Sequence, residues 1–246
     1  MTSNLVNIQE KVIAAAKDSG RDAEDVTLVA VSKIHVAETI IPVLEEGQRI
    51  FGENRVQEAA QKWPALKEQY AGVHLHLIGP LQTNKVRQAI QLFDVIETVD
   101  RPKLARTLAR VFEEERKTCD IYIQVNTGHE DQKAGISPED ADEFINLCRD
   151  ELKLPVVGVM CIPPFDQDAT EHFNLLKNIA DRNNIKNISM GMSGDFERPS
   201  NMAQPTSGLA LQYLEQDPDI KSLRKDHACC RATCVYFSVF IFNNTF

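Results

Sequence analysis

The chain has 246 residues, 43% of them hydrophobic, and a formal net charge of −9. That length suits one large domain or two small ones, and the acidic balance excludes nucleic acid and anionic membrane as main partners. The opening MTSNLVNIQE has neither the positive start nor the apolar core of a signal peptide, and no apolar run reaches membrane-spanning length. The expectation is a cytoplasmic protein, with a mitochondrial pool as the alternative. Cys119, Cys148 and Cys161 fall in predicted core elements and read as reduced thiols, whereas Cys229, Cys230 and Cys234 crowd towards the carboxyl end without zinc-site spacing.

Ser3 to Lys17 predicts an opening helix, with Leu5, Ile8 and Val12 on one face and Ser3 as its cap. Val26 to His35 (VTLVAVSKIH) follows. Its run Leu28–Val31 suits a strand buried on both faces, closed by Ser32 and Lys33. Glu38–Glu46 is helical. Then a rhythm sets in: strand RIFGEN (49–54) and helix Val56–Tyr70, which Pro64 is expected to bend or break. Strand HLHLIGP (74–80) precedes a helix Asn84–Phe93 capped by Thr83. Strand VIETVD (95–100) precedes a helix opening at Pro102, with Leu104, Leu108, Val111 and Phe112 inward. Strand DIYIQVN (120–126) leads to a capping-box-like start at Ser137–Asp140 for a helix to Leu152. Strand VVGVMCI (156–162), helix Asp168–Asn183 and strand NISMGMS (187–193) complete the series.

Strict strand–helix alternation implies a parallel sheet with right-handed crossovers. Seven strands approaching eight point to an α/β protein of the (β/α)₈ barrel type. The alternative is an open doubly wound sheet, disfavoured because no glycine-rich nucleotide turn follows the first strand. A barrel places its chemistry at the carboxyl ends of its strands. Those ends read Ser32-Lys33, Gly52-Glu53-Asn54, Gly79 to Lys85, Asn126-Thr127, Cys161 to Pro164 and Met190 to Ser193. A lysine there, partly desolvated, can form an imine with an aldehyde; the plain alternative is a lysine that ends a strand in solvent. Neither a metal-ligand set nor a G-x-S-x-G elbow is present.

VAVSK (29–33), FGENRVQE (51–58), HLIGPLQTNK (76–85), ETVD (97–100), QVNTG (124–128), KAGI (133–136) and SMGMSGDFE (189–197) together resemble the pyridoxal phosphate homeostasis protein family. The resemblance runs from about Leu5 to Glu197. It implies the barrel of the alanine racemase amino-terminal domain, with Lys33 carrying pyridoxal 5′-phosphate covalently on its amine. Asn54 matches the family asparagine near the cofactor, His76 and Asn84 lie in the family's third-strand motif and are candidate cofactor contacts, and Ser193, with amides near Met192 and Gly194, matches part of a phosphate cradle. From the residues alone, Asn54 could equally cap the helix at Arg55, and His76 could be a satisfied structural histidine.

The match stops near Glu197, so the domain reading is a cofactor-binding barrel over 1–197 and a divergent tail over 198–246, in part disordered. The family's eighth strand is missing or diverged here: Thr233, Val235, Ile241 and Phe242 echo its spacing, but Tyr236 stands where its arginine should be, which implies weaker cofactor retention; the alternative is an aberrant tail. The functional expectation is a binding module that buffers the cofactor and delivers it to apo-enzymes, without robust catalysis, as a monomer or weak dimer. The rival is an amino-acid racemase using Lys33 as base. Such a racemase needs a second β-rich domain, for which the stretch after residue 197 is too short.

Overall fold

The structure, a computed structural model, describes residues 4–191 apart from 19, 21, 131, 165 and 166. The elements run α1 (Asn4–Asp18), β1 (Ala30–Val31), α2 (Ala37–Glu45), β2 (Ile50–Glu53), α3 (Val56–Gln69), β3 (His74–Leu77) and α4 (Val86–Leu92). They continue with β4 (Val95–Val99), α5 (Pro102–Glu115), β5 (Asp120–Gln124), α6 (Ala141–Asn146), β6 (Val156–Met160), α7 (Ala169–Arg182) and β7 (Asn187–Ser189).

The strands form one sheet in the order β1 to β7, and every neighbouring pair is parallel. Sequential order removes the doubly wound alternative, whose order reverses at a switch point. The sheet also rolls up. Ser189 Oγ on β7 donates to Glu97 Oε2 on β4 at 2.6 Å. Three strand spacings of a flat sheet would separate those strands by about 14 Å, so only a curled sheet brings the side chains together. This is the (β/α)₈ architecture seen through seven strands. The candidate eighth strand and Tyr236 lie outside the described residues.

Alternation splits the side chains between two faces. Phe51, Leu75, Leu77, Ile96, Ile121, Ile123, Val159 and Ile188 face the helices and join one large core. Each such side chain withdrawn from water contributes about 1.5–3 kcal/mol. Leu104, Leu108, Val111 and Phe112 meet that core from α5 as their spacing predicts. The opposite parity lines the interior of the curl. There Val95, Tyr122 and Met160 form a small second cluster, surrounded by buried His76, Glu97, Gln124 and Ser189.

Four local expectations are corrected. Pro64 does not break α3, which is continuous over Val56–Gln69. Pro64 lies on the exposed side, where water can serve the carbonyl its ring leaves without an amide partner. Thr83 does not cap a helix. Thr83–Lys85 is a tight 3₁₀ turn, and α4 begins behind Lys85 with no side-chain cap. The helix expected up to Leu152 ends at Asn146 and passes into a π-helical turn over Leu147–Glu151. Ser137 closes the turn before α6 rather than capping it: Asp140 N donates to Ser137 Oγ at 3.2 Å and Ser137 Oγ donates to Asp140 Oδ2 at 2.8 Å, while the N-cap is Asp140 with no side-chain cap bond.

Candidate functional site

The apolar run at 28–31 needs a partner on the helix side and finds it in the core. Its last ladder bond is Ser32 N to Gly52 O at 3.0 Å. The chain then turns through Lys33 and Ile34, closed by His35 N to Ser32 O at 3.2 Å. Lys33 is half-buried, two positions beyond Val31, which pairs with Gly52 on the interior parity. Ile34 adopts the left-handed conformation, φ 63°.

Behind this turn sits a cluster that sequence reading did not single out. Glu53 is fully buried at the end of β2. Its Oε1 accepts from Ser32 Oγ at 2.5 Å and Trp63 Nε1 at 2.9 Å, and pairs with Lys62 Nζ at 2.9 Å. Burial raises the Glu53 carboxyl above the usual carboxylate range, against the lowering pull of Ser32, Trp63 and Lys62. Lys62 itself is buried, contrary to what a lysine on an amphipathic helix suggests.

The neighbouring strand ends converge on the same rim. Asn54 is half-buried. It does not cap α3, whose N-cap is Arg55 with no side-chain cap bond. Gly79, after β3, packs flat against it: a Cβ at Gly79 would stand 2.3 Å from the Asn54 carbonyl oxygen. Only glycine admits that approach. His76 points into the interior, where Nδ1 meets Glu97 Oε1 at 2.6 Å. The chain His76–Glu97–Ser189 is therefore a buried relay of polar contacts across the curl, the satisfied-histidine arrangement. Tyr122 bonds Asn187 beside it. Burial, with Glu97 and Asp120 nearby, holds the phenol well above its usual pKa and so neutral. Asn84 stands exposed in the turn leading to α4. Met192, Ser193 and Gly194 lie outside the described residues. The last described residue, Gly191, has φ 102° and leaves β7 in the left-handed region.

Among the described residues no group of three or more His, Cys, Asp or Glu side chains could hold a metal ion, and no helix is long and apolar enough to cross a membrane. Cys119, Cys148 and Cys161 are free and buried. Burial pushes each thiol up to about 12. These three cysteines are expected to resist iodoacetamide at mildly alkaline pH and to label only on unfolding. Mass mapping of alkylated peptides checks this, and labelling of the native chain at those sites would contradict it.

Comparison with known proteins agrees with this geometry. The sequence profile for the alanine racemase N-terminal domain matches residues 4–211. The pyridoxal phosphate homeostasis protein of Escherichia coli K12 is 34% identical over 203 residues, covering 79% of this chain and 87% of the relative. The solved structure of PipY from Synechococcus elongatus without PLP is 32% identical, with a TM-score of 0.68 over 80% of this chain and 95% of that one. PipY with PLP bound is 29% identical, with a TM-score of 0.64 over the same shares. The chain belongs to the alanine racemase N-terminal domain family, and within it to the pyridoxal phosphate homeostasis proteins.

Proposed function

We propose that the chain holds pyridoxal 5′-phosphate covalently on the Lys33 amine, buffering the cofactor and handing it to apo-enzymes that need it rather than transforming amino acids. When bound, that group supplies an aldehyde carbon that condenses with a primary amine. The observation that carries the reading is Lys33 itself, half-buried at the carboxyl end of β1 beside a polar interior. The residues present fit the ligand. Gly191, the last described residue, leaves β7 with a positive φ that favours glycine, and the segment proposed to hold the phosphate follows it in sequence. Gln124, nearly fully buried at the end of β5, keeps Oε1 without a hydrogen-bond partner, an acceptor in reserve for a polar ligand. The names of the relatives and the PLP-bound PipY structure support the same assignment.

Asn54, His76 and Asn84 are proposed as further contacts, with Met192, Ser193 and Gly194 forming the phosphate turn. The barrel is proposed to span 1–197 and the tail 198–246, in a cytoplasmic protein that is a monomer or weak dimer. The test is borohydride trapping after adding pyridoxal phosphate, followed by peptide mass mapping. The label is expected on Lys33, and a label elsewhere would overturn the assignment. Incubating the loaded protein with alanine in deuterium oxide separates the rival: rapid exchange at Cα would mark a racemase-like enzyme, and its absence fits a carrier.

A further inference from the structure

The cluster behind Lys33 has a feature that cofactor contact does not explain. Lys62 Nζ reaches Ser32 O at 2.7 Å, His35 O at 2.8 Å, Glu53 Oε1 at 2.9 Å and Glu58 Oε1 at 3.0 Å. An ammonium has three protons, so four acceptors saturate it. Two of the four are the backbone carbonyls that bracket Lys33. The amide of Ile34 donates to the Glu58 carboxylate. Three backbone groups of a four-residue turn are thus held by two side chains one helical turn apart on α3.

The turn they hold is strained. Ile34 is β-branched and left-handed, a conformation such residues rarely adopt. It gains no burial in return, since 79% of it is exposed. Strain of this kind persists where the surroundings over-determine it, and it clusters where a ligand is held. We propose that Lys62 and Glu58 are positioning residues: they lock the Ser32–His35 turn in its left-handed form and so aim the Lys33 amine at the ligand site. Glu53 supports them by balancing the buried Lys62 charge. This inference rests on the proposed role of Lys33.

The test uses the full chain and free pyridoxal phosphate. Glu58→Gln and Lys62→Met are expected to weaken cofactor binding by about tenfold, Lys62→Met by more. In the ligand-free protein, hydrogen exchange at the Ile34 amide is expected to speed up in both. Adding Ile34→Gly is expected to restore most of the lost affinity, because glycine enters the left-handed region at no steric cost. A lysine that merely stabilised the fold would show no such rescue. Affinity and Ile34 exchange unchanged from the parent in Glu58→Gln would overturn the proposal, as would a loss that Ile34→Gly leaves untouched. Should Lys62→Met prove insoluble, Glu58→Gln carries the experiment alone. Lys33→Ala run in parallel separates the two claims. If trapped label survives that change, the role of Lys33 fails; if the label vanishes while the Glu58 and Lys62 variants match the parent, only the positioning role fails.

Discussion

Replacing Lys33 by alanine is expected to abolish covalent retention of pyridoxal phosphate while leaving the fold standing. The amine is the group proposed to condense with the aldehyde, and nothing in alanine replaces it. What remains is reversible binding through the other donors, weaker by about a hundredfold or more, which is about 2.7 kcal/mol. Stability is expected to change by no more than about 0.5 kcal/mol, as for a substitution outside the packed core. The side chain is only half-buried, and its turn is held through the carbonyls of Ser32 and His35 rather than through Lys33. Dialysis followed by an absorbance spectrum reads the result. A variant as yellow as its parent after exhaustive dialysis would refute the assignment.

The largest effect on stability is expected from Glu97→Ala. Glu97 is completely buried, takes the Ser189 hydroxyl at 2.6 Å and meets His76 at 2.6 Å. Truncation takes one hydrogen-bond partner from each of two dry groups, the Ser189 hydroxyl and His76 Nδ1, at about 1–3 kcal/mol each. It also leaves a cavity. The two losses alone come to about 2–6 kcal/mol, a large share of the stability of a typical domain. Glu97→Gln is expected to cost less, since an amide oxygen still accepts the Ser189 hydroxyl. Urea unfolding compares the three proteins. An alanine variant with the parent's midpoint would show that the contact across the curl contributes nothing.

The two predictions concern residues of unequal visibility in the sequence. Lys33 was legible because the apolar run Leu28–Val31 marks a buried strand and a lysine at its end stands out. The order of strands was legible for a related reason: helical and extended periodicities alternate cleanly from residue 49 onward. Glu97 and Ser189 were not legible as a pair. They are 92 positions apart, and local spacing carries no trace of a contact made by closing a sheet. Lys62 and Glu58 were hidden differently. On a helix they read as a solvated i,i+4 ion pair, and only the packing of α3 against β1 and β2 withdraws Lys62 from water. Thr83 failed because capping chemistry competes with a tighter turn, and Pro64 because its helix faces solvent there.

The chain's single tryptophan is Trp63. It is fully buried, tilted against Phe51 with ring centroids 4.9 Å apart, and its indole N–H is held by Glu53, the same carboxylate that bonds Ser32. Indole fluorescence from this molecule therefore reports one dry location, wired by two hydrogen bonds to the residue preceding Lys33. Emission colour and intensity give a label-free readout of that corner of the barrel, with no engineered probe and no background from a second indole.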